Sequence, residues 1–211
     1  MSLKLNIRYN AARDKLEGFE EYGNEGTGKI CTHALVFMIR GLGLKWKQTI
    51  AYAFTCQGAD SLKLKSLLFE MLQLLKKSGL NVKAIVCDQG ANNLKLMKDE
   101  LQVTAAKPYF EMEDSKIYCL YDVPHLIKNI KNCFLKHDIE FDNDKKVAKW
   151  SDLQQFFEVD QSLPLHTAPK LSPVHLNPPA FTRMKVKLAT QILSHSVYAG
   201  MMFYMSHGNI K

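Results

Sequence analysis

The sequence predicts an α/β protein in which a mixed β-sheet is flanked by helices and followed by a further helical region. Residues 1–55 show the alternating or clustered apolar pattern of strands. From Ser61 the apolar residues recur at helical spacing, and helix and strand patterns then alternate to about residue 135. Of the 211 residues, 46% are hydrophobic and 23% charged, which suits a globular core and excludes disordered and collagen-like classes.

The first 60 residues predict strands and turns. Alternation of Leu3, Leu5 and Ile7 with polar residues is typical of a half-buried strand, and residues 15–22 are predicted as the return strand of a hairpin. Residues 23–28 are predicted as a loop. Because the alternation starts at once, we expect the chain to begin inside an element. Two apolar runs, at 34–39 and 46–55, are predicted as strands of one sheet.

The middle of the chain predicts alternating helices and strands. Ser61 is a candidate cap and Gly79 a stop for an amphipathic helix between them. After this helix, predicted strands alternate with shorter predicted helices, which is typical of an α/β fold. The remaining elements are a buried strand at 82–87, a helix at 92–101, a strand at 116–121 and a helix at 124–135.

The character of the sequence changes after residue 137. A helix is predicted around Trp150, and five of the seven prolines fall within residues 162–180, which predicts an extended connector. A last helix is predicted at 182–205, with an apolar face that includes Ile192 and Tyr204. Little sequence remains to pack on that face, so we expect it to be exposed and to promote aggregation.

The net charge indicates the kind of partner, and the cysteines indicate the cellular compartment. Lys and Arg number 28 against 21 Asp and Glu, a net charge of +7 that favours an anionic partner. The five cysteines show no CxxC spacing, so neither a disulfide framework nor a zinc knuckle is indicated, and a reducing compartment is the simplest interpretation. Neither a membrane span nor a secretory signal peptide is found.

Two aspartates follow predicted strands. Asp88 stands at the carboxyl end of 82–87 and is followed by Gly90, and Asp122 repeats this arrangement after 116–121. Open sheets with parallel strands place ligand groups at this edge, and two neighbouring carboxylates would suit Mg²⁺, which prefers oxygen ligands. The alternative is that Asp88 is an ordinary turn residue, since Asp and Gly are common turn formers.

The segment after Asp122 predicts a helix with a polar face. His125, Lys128 and Asn132 fall at positions i, i+3 and i+7, and Lys131 is close by. A histidine beside a carboxylate in the first turn is placed to donate to a phosphate. The alternative is that Asp122 caps the helix and the lysines are solvated.

Other basic and glycine-rich segments are weaker indications of nucleic-acid or phosphate binding. Lys45 and Lys47 flank Trp46, and this cluster is either a solvated face or a contact with nucleic acid. The glycine-rich stretches at 23–28 and 40–43 lack the Gly-Lys-Ser/Thr ending of a P-loop, so no phosphate role is assigned to them.

Five segments carry a resemblance to the P-element transposases and their THAP-domain relatives. Four closely resemble that family, and they are ALVFMIRGL at 34–42, WKQTIAYAFT at 46–55, AIVCDQGANN at 84–93 and YDVPHLIKNIKN at 121–132. The fifth, MKVKLATQILSHSVYAGM at 184–201, resembles the start of the family's GTP-binding insertion domain. The matches cover most of the chain in the right order, and DVPHLIKN is quite specific.

The resemblance implies an RNase H-like fold and a set of site residues. The family cuts and joins DNA with three acids that hold two Mg²⁺ ions, and Asp88 matches the second acid, a catalytic residue and metal ligand. Asp122 with His125 resembles the Cys-x-x-His motif of hAT transposases, whose histidine lies against a DNA phosphate, so Asp122 is expected to support His125. The DNA-binding residues expected beside them are Lys128, Lys131 and Asn132.

The sequence departs from the family at both ends. The family's first acid stands just upstream of the segment matching Met1, its third acid lies beyond the insertion domain, and the THAP zinc finger also lies upstream. We therefore expect one of three acids here, no strand transfer by this polypeptide alone, and DNA affinity that is independent of sequence and sensitive to salt.

The resemblance also predicts domains, cofactors and location. Residues 1–137 are expected to form an RNase H-like domain without its first strand, 138–181 a connector with one helix and a proline-rich part, and 182–211 the start of the insertion domain. Mg²⁺ and GTP are expected for the complete enzyme, with no tight GTP binding here. The family implies action on transposon ends in the nucleus, no membrane partner, and allows an oligomer.

Two further hypotheses stand beside a catalytically incomplete transposase fragment. One is a domesticated DNA-binding or interaction protein that keeps the basic fold without chemistry. The other is an unrelated nucleotide-binding α/β protein, which is disfavoured because neither a P-loop nor a Rossmann fingerprint is present.

Overall fold

The computed structural model describes residues 1–23, 25–142, 145–208 and 210. The chain divides into two compact units, Met1–Leu120 and Tyr121–Lys211. The first unit contains most of the strands, and the second is mainly helical.

The first unit opens with two antiparallel arrangements of strands. A small hairpin pairs β1 (Arg8–Asn10) with β2 (Lys15–Glu17). A four-stranded sheet then has the spatial order β4–β3–β6–β5, and its long pair of β5 with β6 keeps 34–37 opposite 51–54 in register. The four strands are β3 (Phe19–Tyr22), β4 (Glu25–Ile30), β5 (His33–Arg40) and β6 (Lys47–Thr55).

Helices and a second sheet complete the first unit. Helix α1 (Ser61–Lys77) begins at Asp60, whose carboxylate accepts from the Lys63 amide at 2.8 Å, and it buries three leucines at helical spacing. Three further strands form a sheet in the order β7–β9–β8. The elements are β7 (Ala84–Cys87), α2 (Ala91–Lys95) continued by a π-helical turn (Leu96–Glu100), β8 (Tyr109–Met112) and β9 (Ser115–Tyr121).

Several expectations about the first unit need correction. The alternating segment that starts at Leu3 forms a strand only at Arg8–Asn10, and Leu5 and Ile7 are 62% and 46% exposed. The cap of α1 is Asp60 and not Ser61. The return strand at 15–22 is broken at Gly18, whose φ of +112° favours glycine, and an added Cβ there would lie 2.2 Å from the Asn6 carbonyl oxygen. The predicted loop at 23–28 is wrong for residues 25–28, which belong to β4 and pair with β3. Residue 24 lies outside the described residues.

A buried carboxylate joins three strands of the four-stranded sheet. Glu20 is only 6% exposed, and its carboxylate accepts from the Cys56 amide at 2.8 Å, the Thr27 hydroxyl at 2.6 Å and the Tyr22 hydroxyl at 3.0 Å. These hydrogen bonds, led by that from Cys56, lower the pKa of Glu20 below its ordinary value. Glu20 therefore ties β3 to β4 and to the end of β6.

We expect Glu20→Ala to lower the free energy of unfolding by about 1–3 kcal/mol, because the partly buried hydrogen bonds from Cys56, Thr27 and Tyr22 lose their charged acceptor. The partly exposed Glu21, paired with Lys15, is the matched control, and its alanine variant should lose no more than about 0.5 kcal/mol. Urea unfolding at pH 7 measures both.

The Glu20 contribution should also depend on pH. Because the pKa of Glu20 in the folded protein lies below its ordinary value of 4.5, the stabilisation is present above about pH 4.5 and is lost as the pH falls further. The difference between wild type and Glu20→Ala should therefore shrink in acid. A difference that stays constant from pH 7 to pH 3 would contradict the assignment.

The second unit is built from short helices. A two-stranded hairpin of β10 (Ile139–Glu140) and β11 (Val147–Ala148) lies between the first two helices, and a 3₁₀ turn (Thr182–Met184) precedes α6. The helices are α3 (Val123–Phe134), α4 (Trp150–Gln161), α5 (Pro173–Leu176), α6 (Val186–Ile192) and α7 (His195–Ser206). Because α5 lies within residues 162–180, the prediction of an extended connector there is wrong at residues 173–176.

The single helix predicted at 182–205 is wrong. It is interrupted at Leu193, and α7 starts anew from Ser194, whose hydroxyl accepts from the Val197 amide at 3.4 Å. The expectation that its apolar face lacks a partner is wrong as well. Ile192, Val197 and Tyr204 are buried in one core cluster with residues of α4 and of the proline-rich segment, namely Leu153, Phe156, Ala168, Leu171 and Leu176.

A second buried carboxylate organises that core. Asp160, at 0% exposure, accepts from the Thr167 amide and hydroxyl, each at 2.7 Å, and from the Tyr204 hydroxyl at 3.0 Å. Burial alone would raise the pKa of Asp160, but the hydrogen bonds from Thr167 and Tyr204 outweigh it and the pKa is lowered. Asp160 thus links α4, the proline-rich segment and α7.

Removing the Asp160 carboxylate should destabilise the second unit strongly. We expect Asp160→Ala to cost about 2–5 kcal/mol, because several buried donors lose their acceptor at once. Glu158→Ala, on an exposed position of the same helix, should stay within about 0.5 kcal/mol of wild type. Equal effects of the two substitutions on the melting temperature would refute this role.

Candidate functional site

The first candidate residue, Asp88, directly follows β7 and is exposed. Its Oδ1 accepts hydrogen bonds from the Gly90 amide at 2.9 Å and from Asn93 Nδ2 at 2.8 Å. An added Cβ at Gly90 would lie 3.0 Å from the same oxygen, so glycine allows this close turn. The turn therefore holds a solvent-facing carboxylate at the end of a strand, where the sequence predicted it.

The start of α2 fixes this turn against the rest of the first unit. Asn92 Nδ2 donates to the Ala59 carbonyl oxygen at 2.8 Å, just before α1. Neither Asn92 nor Asn93 was among the site residues expected from the sequence. Its signal is the spacing Asp-x-Gly-x-Asn-Asn, which places one amide on Asp88 and the other on the loop before α1.

The second candidate group, Asp122 with His125, lies at the start of α3. Asp122 is the N-cap: its Oδ2 accepts from the His125 amide at 3.1 Å and lies 2.5 Å from His125 Nδ1. The hydrogen bond from the His125 side chain lowers the pKa of Asp122, so this carboxylate is charged near neutral pH. The helix-capping interpretation is confirmed, and Asp122 also orients the imidazole.

The residues expected to contact DNA are placed differently from the sequence expectation. Lys128 is 6% exposed and Lys131 0%, and the Lys131 ammonium donates to the Arg183 carbonyl oxygen at 3.4 Å. Burial, with a smaller contribution from Arg183, lowers the pKa of Lys131. Asn132 is half-buried, and its Oδ1 has no hydrogen-bond partner in the described part of the chain. Their contact with DNA stays a prediction, and it requires the two ammonium groups to become exposed.

The described residues do not by themselves form a two-cation site. No group of three His, Cys, Asp or Glu side chains that could hold a metal ion occurs among residues 1–23, 25–142, 145–208 and 210. Asp88 and Asp122 belong to different compact units. Burial raises the pKa of the thiols of Cys87 and Cys119 to about 11 each, so neither supplies a thiolate near neutral pH. Asp88 is thus a single exposed carboxylate.

Comparison with known proteins identifies the family. Residues 1–100 match the family model of the TNP-like RNase H N-terminal domain, and residues 124–211 match that of the TNP-like GTP-binding insertion domain. The Transposable element P transposase of Drosophila melanogaster is 32% identical over 163 residues, which are 75% of this chain and 20% of that protein. The chain belongs to the P-element-like transposase family.

A solved structure supports the same family. The chain is similar to the Drosophila P element transposase strand transfer complex, with a TM-score of 0.84 and 25% identity over 98% of this chain and 43% of that one. The predicted RNase H-like α/β fold and the predicted family are confirmed. This P-element-like transposase chain spans about a fifth of the length of the curated relative. Among its described residues, no helix is both long and apolar enough to cross a membrane.

Stability of this chain should not depend on a divalent cation, because the described residues offer no built metal cluster. We expect the melting temperature with EDTA and with about 5 mM Mg²⁺ to agree within about 1 °C, since a ligand stabilises only at concentrations near or above its Kd. Asp88→Asn serves as the control and should respond identically. A rise of several degrees in Mg²⁺ that Asp88→Asn abolishes would contradict the expectation.

Proposed function

We propose that this chain is the RNase H-like and insertion part of a DNA transposase and that it binds DNA. The observation that carries the proposal is the likeness, over 98% of the chain, to a transposase in a strand transfer complex. The net charge of +7 supports an anionic partner, since excess positive charge attracts phosphates at long range. Binding without strong sequence preference is expected from such contacts.

Asp88 is proposed to supply one carboxylate of the transposase's magnesium site. Its exposure and its place at the end of β7 support this role, as does its correspondence to the family's second acid. Since no metal-binding cluster occurs among the described residues, DNA cleavage would require carboxylates in addition to Asp88. We expect no cleavage by this chain alone.

His125 is proposed to donate a hydrogen bond to a DNA phosphate. Its Nδ1 is engaged by Asp122, which leaves Nε2 as the ring nitrogen for a phosphate oxygen, and the side chain is 45% exposed. Asp122 would act as a positioning residue. Lys128, Lys131 and Asn132 would join this contact only after a change that exposes them.

The remaining proposals concern the transposase as a whole. We infer action in the nucleus, where chromosomal DNA is located, and assembly into an oligomer on transposon ends. Mg²⁺ and GTP are proposed as its cofactors, and the match of residues 124–211 to a GTP-binding insertion domain supports the second. We propose that a THAP zinc finger of the complete transposase supplies most of the sequence-specific reading of DNA.

A second candidate function is a domesticated DNA-binding or interaction protein without catalysis. The observation that favours it is that no group of three metal-binding side chains occurs in the described part of the chain. Both candidates bind DNA. Only the transposase needs Asp88, as a carboxylate of its magnesium site.

DNA binding and cleavage by the 211-residue chain test these proposals. Wild type should bind a labelled duplex in fluorescence anisotropy, with an affinity that falls at least about tenfold between 50 and 200 mM salt, and should not nick it in Mg²⁺ or Mn²⁺. Asp88→Ala should bind equally well, and Asp138→Ala, an exposed acid, controls for the change in net charge.

Two outcomes would overturn these proposals. No binding at low salt would refute the DNA-binding role. Metal-dependent nicking that Asp88→Ala abolishes and Asp138→Ala preserves would refute both the domesticated candidate and the claim that further carboxylates are needed.

A further inference from the structure

The turn between β5 and β6 presents an exposed tip that the proposed site does not use. We define the hairpin tip as residues 40–47, sequence RGLGLKWK. Its base is the register pair Arg40 and Lys47. Leu42 is 86% exposed and Leu44 71%, although both are fully apolar. Large apolar side chains held in solvent at the end of a hairpin indicate a contact surface.

The charge around the hairpin tip has one sign. Arg40, Lys45 and Lys47 are exposed, and no Asp or Glu occurs anywhere in residues 26–59. Among the described residues, none of these three cations forms a salt bridge, whereas lysines elsewhere in the unit pair with glutamates, as Lys65 does with Glu100 at 3.6 Å. The three cations are therefore available to a polyanion.

The hairpin tip is preorganised by Trp46. The Gly41 amide donates to the Trp46 carbonyl oxygen at 3.1 Å, and the Trp46 amide donates to the Leu44 carbonyl oxygen at 2.9 Å. The indole packs so closely on Gly41 that an added Cβ would lie 2.5 Å from Trp46 Nε1. Because this packing fixes the turn before any ligand arrives, little conformational entropy is lost on binding.

The shape of the hairpin tip indicates which polyanion it binds. A two-stranded antiparallel ribbon fits the major groove of B-DNA, which is about 12 Å wide, and apolar side chains there contact thymine methyl groups. Leu42 and Leu44 lie in the turn between Arg40, the last residue of β5, and Lys47, the first residue of β6, and Lys45 lies in the same turn on the β6 side. This order, cations on both sides of an apolar apex, matches a groove with a phosphate backbone along each wall.

We propose that the hairpin tip enters the major groove of duplex DNA, with Arg40, Lys45 and Lys47 on the flanking phosphates and Leu42 and Leu44 against the base edges. The proposal rests on the proposed DNA-binding function and adds a second contact, separate from Asp88 and His125. The tip adds affinity and orientation rather than cleavage.

A charge-matched pair of triple variants tests the phosphate contacts. Arg40→Ala/Lys45→Ala/Lys47→Ala should weaken binding to a 20-bp duplex by at least about tenfold at about 100 mM salt and lower the slope of log Kd against log salt by about 2–3, at about 0.9 per lost phosphate contact. Lys15→Ala/Lys63→Ala/Lys76→Ala removes the same charge from ion-paired lysines and should weaken binding less than about threefold.

Two further variants test the apex and its shape with all cations retained. Leu42→Ser/Leu44→Ser should weaken duplex binding at least about threefold and leave the salt slope unchanged, because it removes apolar contacts only. Gly41→Ala, which displaces Trp46, should also weaken binding. Thermal melting of each variant reports folding, and all exposed-residue variants should melt within a few degrees of wild type.

The outcomes distinguish this inference from the proposed function. If wild type binds duplex DNA and both triple variants lose affinity equally, the tip is not a DNA contact, although the proposed function stands. If wild type does not bind DNA, both fail. Vesicles of phosphatidylserine and phosphatidylcholine form a third arm. Binding to them that the leucine variant abolishes, with duplex affinity unchanged, would assign the tip to a lipid surface and overturn the proposal.

Discussion

Burying a charged carboxylate is costly unless hydrogen-bond donors converge on it, and this constraint shapes both units of the chain. Glu20 gathers donors from β3, β4 and the end of β6, and Asp160 gathers them from the proline-rich segment and α7. Asp88 and Asp122 are different because each remains partly or fully accessible to solvent. Glu20 and Asp160 stabilise the fold, and they are buried and hydrogen-bonded. Asp88 and Asp122 of the candidate site are accessible to a ligand from solvent.

Local patterns in the sequence were sufficient for the longest strands and the longest helix of the first unit. The apolar runs of β5 and β6 and the leucine spacing of α1 follow from side-chain periodicity alone. The strand at 25–30 was not predictable, because its sequence EGTGKI has little strand propensity and is ordered by pairing with β3. The break at Leu193 was missed for a related reason, since apolar residues continue through it and only the cap at Ser194 marks the new helix.

The turns that carry Asp88 and Asp122 were predictable from the sequence, but the burial of the lysines beside them was not. The positions of Asp88 and Asp122 follow from the ends of strands, and a cap at Asp122 follows from its place before Pro124. The burial of Lys131 depends on which face of α3 meets α6 and the Arg183 backbone, and helical spacing does not contain that information. Asp88 could be singled out among other Asp-x-Gly turns only through the resemblance to a family.

The two tryptophans of the chain fall one in each compact unit. Trp46 is 38% exposed at the hairpin tip, whereas Trp150 packs edge-on against Phe134 with a ring-centroid distance of 5.3 Å. The Trp150 indole nitrogen is buried without a hydrogen-bond partner in the described part of the chain, so we expect Trp150 to emit at a shorter wavelength than Trp46. Intrinsic fluorescence of single-tryptophan chains can therefore follow the unfolding of each unit separately, without any added label.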